Sequence, residues 1–134
     1  MPRQAPQPSR GGTPEVPPIL VVDDDPQLRH VIRLVLEEEG LTVETAADGR
    51  QALDQATRRR PRLVILDMGL PLLDGAGLAA ELRVIYDDGL PLLVITADGH
   101  VAEKARRVGA RAYLAKPFEL DDFAAAVQQV LGER

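Results

Sequence analysis

Leu63-Val64-Ile65-Leu66-Asp67 is a run of four apolar residues that begins two residues after Pro61 and ends in a carboxylate. A short apolar run bounded in this way reads as a parallel strand buried on both faces, with Asp67 at its carboxyl end. In open α/β sheets, ligands bind at the carboxyl ends of the strands, where the winding reverses. Three further apolar runs also end in polar or reactive residues: Ile19 to Val22 in Asp23-Asp24, Leu92 to Ile95 in Thr96, and Tyr113 to Ala115 in Lys116. Four strand ends would then converge on one site.

Working outward from that strand, the chain alternates strand and helix. Ile19 to Val22 is the first strand, and Asp25 with Pro26 is an N-cap and first helical residue for a helix running to about Glu39, with Gly40 as its stop. Leu28, Val31 or Ile32, and Val35 form its expected buried stripe, while His30 falls on the solvated face with Arg33 and Glu37. Leu41 to Thr45 reads as the second strand, followed by a helix opened by Asp48-Gly49 that carries Ala52, Leu53 and Ala56. Arg58-Arg59-Arg60 closes that helix, where three cations complement the dipole at a solvated end. Asp74 caps a third helix bearing Leu78, Leu82 and Ile85. Leu90 to Thr96 is the fourth strand and Val101 to Val108 a short helix closed by Gly109. Arg111 to Ala115 is the fifth strand, and the last helix bears Phe123, Val127, Val130 and Leu131. Five strands alternating with five helices make a doubly wound α/β fold with a parallel sheet, and right-handed crossovers favour the flavodoxin-like strand order 2-1-3-4-5.

Met1 to Pro18 holds six prolines and Gly11-Gly12 with little that can pack, and reads as a disordered tail. That leaves residues 19–132, about 115 residues, for a single core of ordinary size. Hydrophobic residues make up 45% of the chain and aromatics 3%, so the core is aliphatic and a base-stacking platform is disfavoured. Sixteen basic against 21 acidic residues give a net charge of −5, which opposes direct nucleic-acid binding. The chain has no cysteine, hence no disulfide, thiolate metal site or thiol nucleophile. No apolar run approaches a membrane span or a signal peptide, so a cytoplasmic protein without membrane association is expected.

In the 2-1-3-4-5 order the first and third strands are neighbours at about 4.8 Å. Asp23, Asp24 and Asp67 then crowd together, and two carboxylates about 5 Å apart repel by roughly 3 kcal/mol at an effective dielectric of about 20. Lys116 supplies one positive charge, and a divalent ion is still wanted. Oxygen ligands without Cys or His point to Mg²⁺ rather than zinc. A carboxylate beside Mg²⁺, with a lysine and a threonine hydroxyl about an open position, suits phosphoryl acceptance, with Asp67 as nucleophile and Thr96 and Lys116 facing the transferring oxygens. Singly these residues have ordinary explanations as caps, strand ends or surface charges. Capping does not explain a lysine and a threonine at matching ends of separate strands.

The ordered set of motifs resembles the receiver domain of two-component response regulators. It comprises Ile19-Leu20-Val21-Val22-Asp23-Asp24-Asp25-Pro26, Ala47-Asp48-Gly49, the Asp67 strand, Leu70-Pro71-Leu72-Leu73-Asp74-Gly75, Pro91-Leu92-Leu93-Val94-Ile95-Thr96-Ala97 and Gly109-Ala110-Arg111-Ala112-Tyr113-Leu114-Ala115-Lys116-Pro117-Phe118. The resemblance implies that Asp67 takes a phosphoryl group from a phosphohistidine on a sensor histidine kinase or phosphotransfer protein. It implies that Asp24 and Asp67 ligate Mg²⁺ directly, Asp23 through water, and Gly69 through its backbone carbonyl. Thr96 and Lys116 would hold phosphoryl oxygens, assisted by the N–H groups of Met68 and Ala97, and the Lys116-Pro117 bond would be cis, aiming the lysine. On phosphorylation Thr96 would move inward and Tyr113 would turn with it. The face made by the fourth helix, fifth strand and fifth helix would then alter for an output domain, a target protein or a second copy in a homodimer. Gly69 and Asp98, two residues past Asp67 and Thr96, would govern the lifetime of the phosphorylated state, Gly69 by leaving room for water.

Two other readings compete. Phosphohydrolases with an aspartate nucleophile resemble Asp-x-Asp, and Gly69 removes the second acid. A pseudo-receiver serving only as a binding scaffold is opposed by the complete set Asp23, Asp24, Asp67, Thr96 and Lys116. No output motif follows the last helix, which leaves open a stand-alone regulator or a receiver within a longer one.

Overall fold

The computed structural model describes residues 16–70, 72–97 and 99–132. Most of the Met1–Pro18 tail and Asp98 therefore lie outside the described residues. The elements are β1 (Ile19–Val22), α1 (Pro26–Glu38), β2 (Val43–Ala46), α2 (Gly49–Arg58), β3 (Leu63–Asp67), α3 (Gly75–Tyr86), a 3₁₀ turn (Asp87–Gly89), β4 (Leu92–Thr96), α4 (Val101–Arg107), β5 (Ala112–Ala115) and α5 (Leu120–Gly132). All strand pairs are parallel, in the order β2-β1-β3-β4-β5. This is the flavodoxin-like doubly wound sheet that the alternation of elements predicts.

Side chains of successive strand residues point to opposite faces, and the core divides accordingly. Leu20, Val22, Val64, Leu66, Leu92 and Val94 pack with the buried faces of α2 and α3 and with Ala105 of α4. Ile19, Val21, Leu63, Ile65, Leu93 and Ile95 pack with Ile32 and Leu36 of α1 and Phe123, Val127 and Val130 of α5. Because helices cover both faces, β1, β3 and β4 are buried throughout, which is why their sequences are continuously apolar.

Helix starts follow the caps: the carboxylates of Asp25, Asp48 and Asp74 each accept from backbone N–H groups of the first turn. Several expected boundaries shift. β2 begins at Val43 rather than Leu41, because Gly40 at φ +83° and the bond from Leu41 N to Leu36 O spend Leu41 on the C-terminal turn of α1. β4 begins at Leu92, since the 3₁₀ turn and Pro91, which has no N–H, precede it. β5 begins one residue later than expected, at Ala112. On α1 the fully buried residues are Ile32 and Leu36, with Leu28 and Val35 partly buried and Val31 exposed. On α3, Ile85 is exposed; Tyr86 takes the core-side position one turn after Leu82, and its hydroxyl donates to Ala56 O of α2.

Two glycines hold the layers close. A Cβ on Gly49 would run into the backbone carbonyl of Leu73, and one on Gly75 would lie 2.7 Å from Met68 Cα and 3.0 Å from Asp67 O. Gly75 therefore lets the start of α3 sit directly against the end of β3.

Candidate functional site

Register brings the polar strand ends together. Val22 pairs with Leu66, so Asp23 and Asp67 follow on adjacent strands; Asp67 pairs with Ile95, so Thr96 follows; Thr96 pairs with Ala115, so Lys116 follows. The Lys116 N–H also donates to Thr96 O at 2.9 Å, and the Lys116-Pro117 bond is cis.

Asp23, Asp67 and Thr96 are buried polar residues within an otherwise apolar interior. Each of the two carboxylates is fixed in the same way. Asp23 Oδ1 accepts from Asp25 N at 2.9 Å, and Asp67 Oδ1 from Gly69 N at 3.0 Å. Their second oxygens converge on one ammonium, with Lys116 Nζ 2.7 Å from Asp23 Oδ2 and 3.2 Å from Asp67 Oδ2. The contact with Asp67 is a hydrogen bond, whereas that with Asp23 is an ion pair off the hydrogen-bond direction, leaving the buried Oδ2 without an aligned donor.

One lysine facing two buried carboxylates leaves the site electrostatically incomplete. Burial pushes the Asp23 carboxyl above its ordinary 3.8; Lys116 and the Asp25 N–H oppose the shift, and the charge of Asp67 adds to it. Burial alone would pull Lys116 down, but Asp23 and Asp67 outweigh it and hold the ammonium above its ordinary 10.5.

Asp24 is exposed and joins the pair from the rim. Among the described residues, Asp23, Asp24 and Asp67 each offer a carboxylate oxygen, all within 4.8 Å of one another. An all-oxygen, anionic donor set with an unaligned buried oxygen suits a hard divalent cation. Gly69 is exposed beside this cluster, where an added Cβ would stand 3.8 Å from Asp67 Oδ1 and otherwise in the open. Tyr113 lies on the edge strand β5, 49% exposed and pointing outward. The Met68 N–H donates to Ile95 O at 3.3 Å, extending the β3–β4 ladder instead of reaching the cluster.

One contributor has no sequence signal. Arg29, at the end of the first turn of α1, donates from Nη1 to Asp23 O at 2.7 Å and braces the backbone that carries the carboxylate. Arginine on an amphipathic helix reads as solvated until the fold folds it back.

A doubly wound sheet with three carboxylates, a lysine and a threonine gathered at its carboxyl edge defines a flavodoxin-like α/β domain with an acidic site. Residues 19–128 match the response regulator receiver domain, and the chain belongs to that family. It is 44% identical over 115 residues to the response regulator MprA of Mycolicibacterium vanbaalenii, covering 84% of this chain and 49% of that protein. It is 42% identical to MprA of Mycobacterium leprae over the same length. The chain thus spans about half the length of these curated relatives. Among solved structures it is similar to the chemotaxis response regulator CheY4 of Vibrio cholerae, with a TM-score of 0.79 and 31% identity over 87% of this chain and 99% of that one. The receiver domain of NtrX from Brucella abortus is equally similar, at 0.79 and 35% over the same shares.

Proposed function

We propose that Asp67 accepts a phosphoryl group from a phosphohistidine of a sensor histidine kinase or phosphotransfer protein, in an Mg²⁺-dependent reaction that this domain itself catalyses. The observation that carries the reading is the shared ammonium: Lys116 bridges Asp67 to Asp23 at the point where Thr96 and Asp24 also arrive. A carboxylate oxygen of Asp67 attacks phosphorus as the donor P–N bond breaks. The electron pair leaves with the imidazole nitrogen, which takes up a proton, and the product is an acyl phosphate. Asp23, Asp24 and Asp67, with the Gly69 carbonyl, would hold Mg²⁺, which when bound neutralises charge on the transferring oxygens. Lys116 then exchanges its contact with Asp67 for a phosphoryl oxygen, and the Thr96 hydroxyl donates to another.

A donor needs a surface beside Asp67. Leu28, Ala97, Lys116, Pro117, Phe118 and Leu120 line a mostly apolar groove of about 310 Å³ next to the lysine, suited to the side of a donor helix. Phosphorylation draws Thr96 toward the phosphoryl group and lets Tyr113 turn in from its exposed position, altering the face of α4, β5 and α5 that meets an output domain, a target or a second copy. We place this reaction in the cytoplasm; among the described residues no helix is long and apolar enough to cross a membrane. The phosphorylated lifetime is set by water reaching the acyl phosphate over Gly69.

Phosphoramidate, a small donor with the same P–N bond, tests the donor class. Incubation with Mg²⁺ should give a phosphorylated protein whose adduct is lost in hydroxylamine, as acyl phosphates are, and EDTA should prevent it. Labelling that persists in EDTA or survives hydroxylamine contradicts the proposal.

A further inference from the structure

On the opposite edge of the sheet from β5, three arginines from two segments line one cleft. Arg33 of α1, Arg58 at the end of α2 and Arg59 just beyond it surround a space of about 590 Å³ over β2, together with Glu44, Thr45 and Gln55. A second cleft of about 150 Å³, lined by Pro26, Arg29, His30, Arg33 and Thr45, shares Arg33 and Thr45 with the first. The combined lining carries Arg29, Arg33, Arg58 and Arg59 against Glu44; with Glu37 and Asp54, which pair with Arg33 and Arg58, four basic groups face three acidic ones, a local excess of positive charge in a chain of net charge −5.

The guanidinium groups are pre-positioned. Arg33 Nη2 donates to Val43 O at 3.1 Å, and Arg59 Nη2 to Val16 O at 3.2 Å, so backbone carbonyls hold two of the forks at the cleft. Arg33 Nε also donates to Glu37 at 3.3 Å, while Arg58 reaches Asp54 at 3.5 Å and Arg59 reaches Glu44 at 3.6 Å, beyond good hydrogen-bond length. Exposed pairs of this kind contribute little and yield to a better anion, whereas an arginine fork binds phosphate oxygens bidentately through charge-assisted hydrogen bonds. The β2 edge offers no competing role for the cleft as a strand-pairing site, because Arg33 and the Gln55 amide already donate to the outward carbonyls of Val43 and Thr45.

We infer that this β2-edge cleft binds a small multivalent phosphate anion, of the pyrophosphate or tripolyphosphate class, at a site separate from Asp67. Several cations spread over two adjoining clefts that share Arg33 and Thr45 match several phosphates in a row. No Phe, Tyr or Trp lines either cleft, and His30 is the one aromatic ring there.

The test is calorimetric titration of the full chain, in EDTA and at fixed ionic strength, with sodium tripolyphosphate. Saturable one-to-one binding is expected, unchanged in Asp67→Asn and weakened about ten-fold or more in an Arg58→Gln/Arg59→Gln double variant. Arg33→Gln, which also loosens the hold on Val43, is read beside its circular dichroism melt, and should weaken binding while still melting cooperatively. Absence of saturable binding, equal affinity in the folded arginine variants, or loss of binding in Asp67→Asn overturns the site. Tighter binding of a hexaglutamate peptide than of tripolyphosphate overturns the ligand class.

Discussion

Replacing Lys116 by alanine exposes the electrostatic problem that the site is built around. Its ammonium lies 2.7 Å from Asp23 Oδ2 and 3.2 Å from Asp67 Oδ2, with the Lys116 side chain only 20% exposed and those of the acids less. Without it, carboxylate oxygens no more than 4.8 Å apart face each other in the interior. At an effective dielectric of about 20 that repulsion is roughly 3 kcal/mol, in the range of about 3–5 kcal/mol for removing one partner of a buried ion pair. Burial already pushes the Asp23 carboxyl up, so proton uptake there reduces the cost. A domain with about 5–15 kcal/mol of stability survives the loss, so urea unfolding of parent and Lys116→Ala can be compared directly in EDTA. Mg²⁺ should then restore more stability to the variant than it adds to the parent, because in the parent the ion must bind beside an ammonium. A loss below about 1 kcal/mol in EDTA, or equal Mg²⁺ gains in both proteins, shows that the lysine does not hold the carboxylates together.

Asp23→Asn should stabilise the metal-free protein by about 1–2 kcal/mol at neutral pH, since an amide keeps the bond from Asp25 N and removes a buried charge. The sign follows from the raised carboxyl: between 3.8 and its higher native value the folded state holds a proton that the unfolded state has released, so this group lowers stability as pH rises through that window. Thermal melts of both proteins across an acid-to-neutral series in EDTA should diverge upward in pH, and a parent more stable than the variant at neutrality counts against the assignment. Lys116, also raised, has the same pH slope but a favourable contribution: it is full below 10.5 and disappears as pH passes its higher native value, which alkaline melts of parent against Lys116→Ala would register as convergence. Gly75→Ala, whose methyl would press on Met68 Cα and Asp67 O, should cost about 1–3 kcal/mol by denaturant unfolding and weaken Mg²⁺ binding with it; a neutral effect would mean that α3 is not seated against β3. Gly69→Met, adding bulk in the open space near Asp67 Oδ1, should slow loss of the phosphoryl group several-fold in a decay time course, and an unchanged rate would place water entry elsewhere.

Much of this was legible in the sequence because polarity is so sharply placed. Continuous apolar runs such as Leu63 to Leu66, alternating with helical patterns, fit a sheet covered on both faces, and a charged or hydroxyl residue terminating each run marks one edge of it. The caps at Asp25, Asp48 and Asp74 were equally plain, since side chain to backbone bonding is local. Features set by tertiary contact were not legible. Nothing around Ile85 foretells that Tyr86 takes the inward position by reaching across to α2, and nothing around Leu41 tells a turn residue from a strand residue. The Met68 N–H donates to Ile95 O because the ladder extends one residue farther. Likewise Arg58 and Arg59 read as a solvated helix end, and only the fold brings Arg33 from α1 to the same cleft.

The phosphoacceptor itself is settled by intact-mass spectrometry of parent and Asp67→Asn after incubation with Mg²⁺ and acetyl phosphate. One phosphoryl group added to the parent and none to the variant is the expected result. An adduct of equal yield on Asp67→Asn, or none on a parent that binds Mg²⁺ and is sampled within the first seconds, would contradict Asp67 as the acceptor.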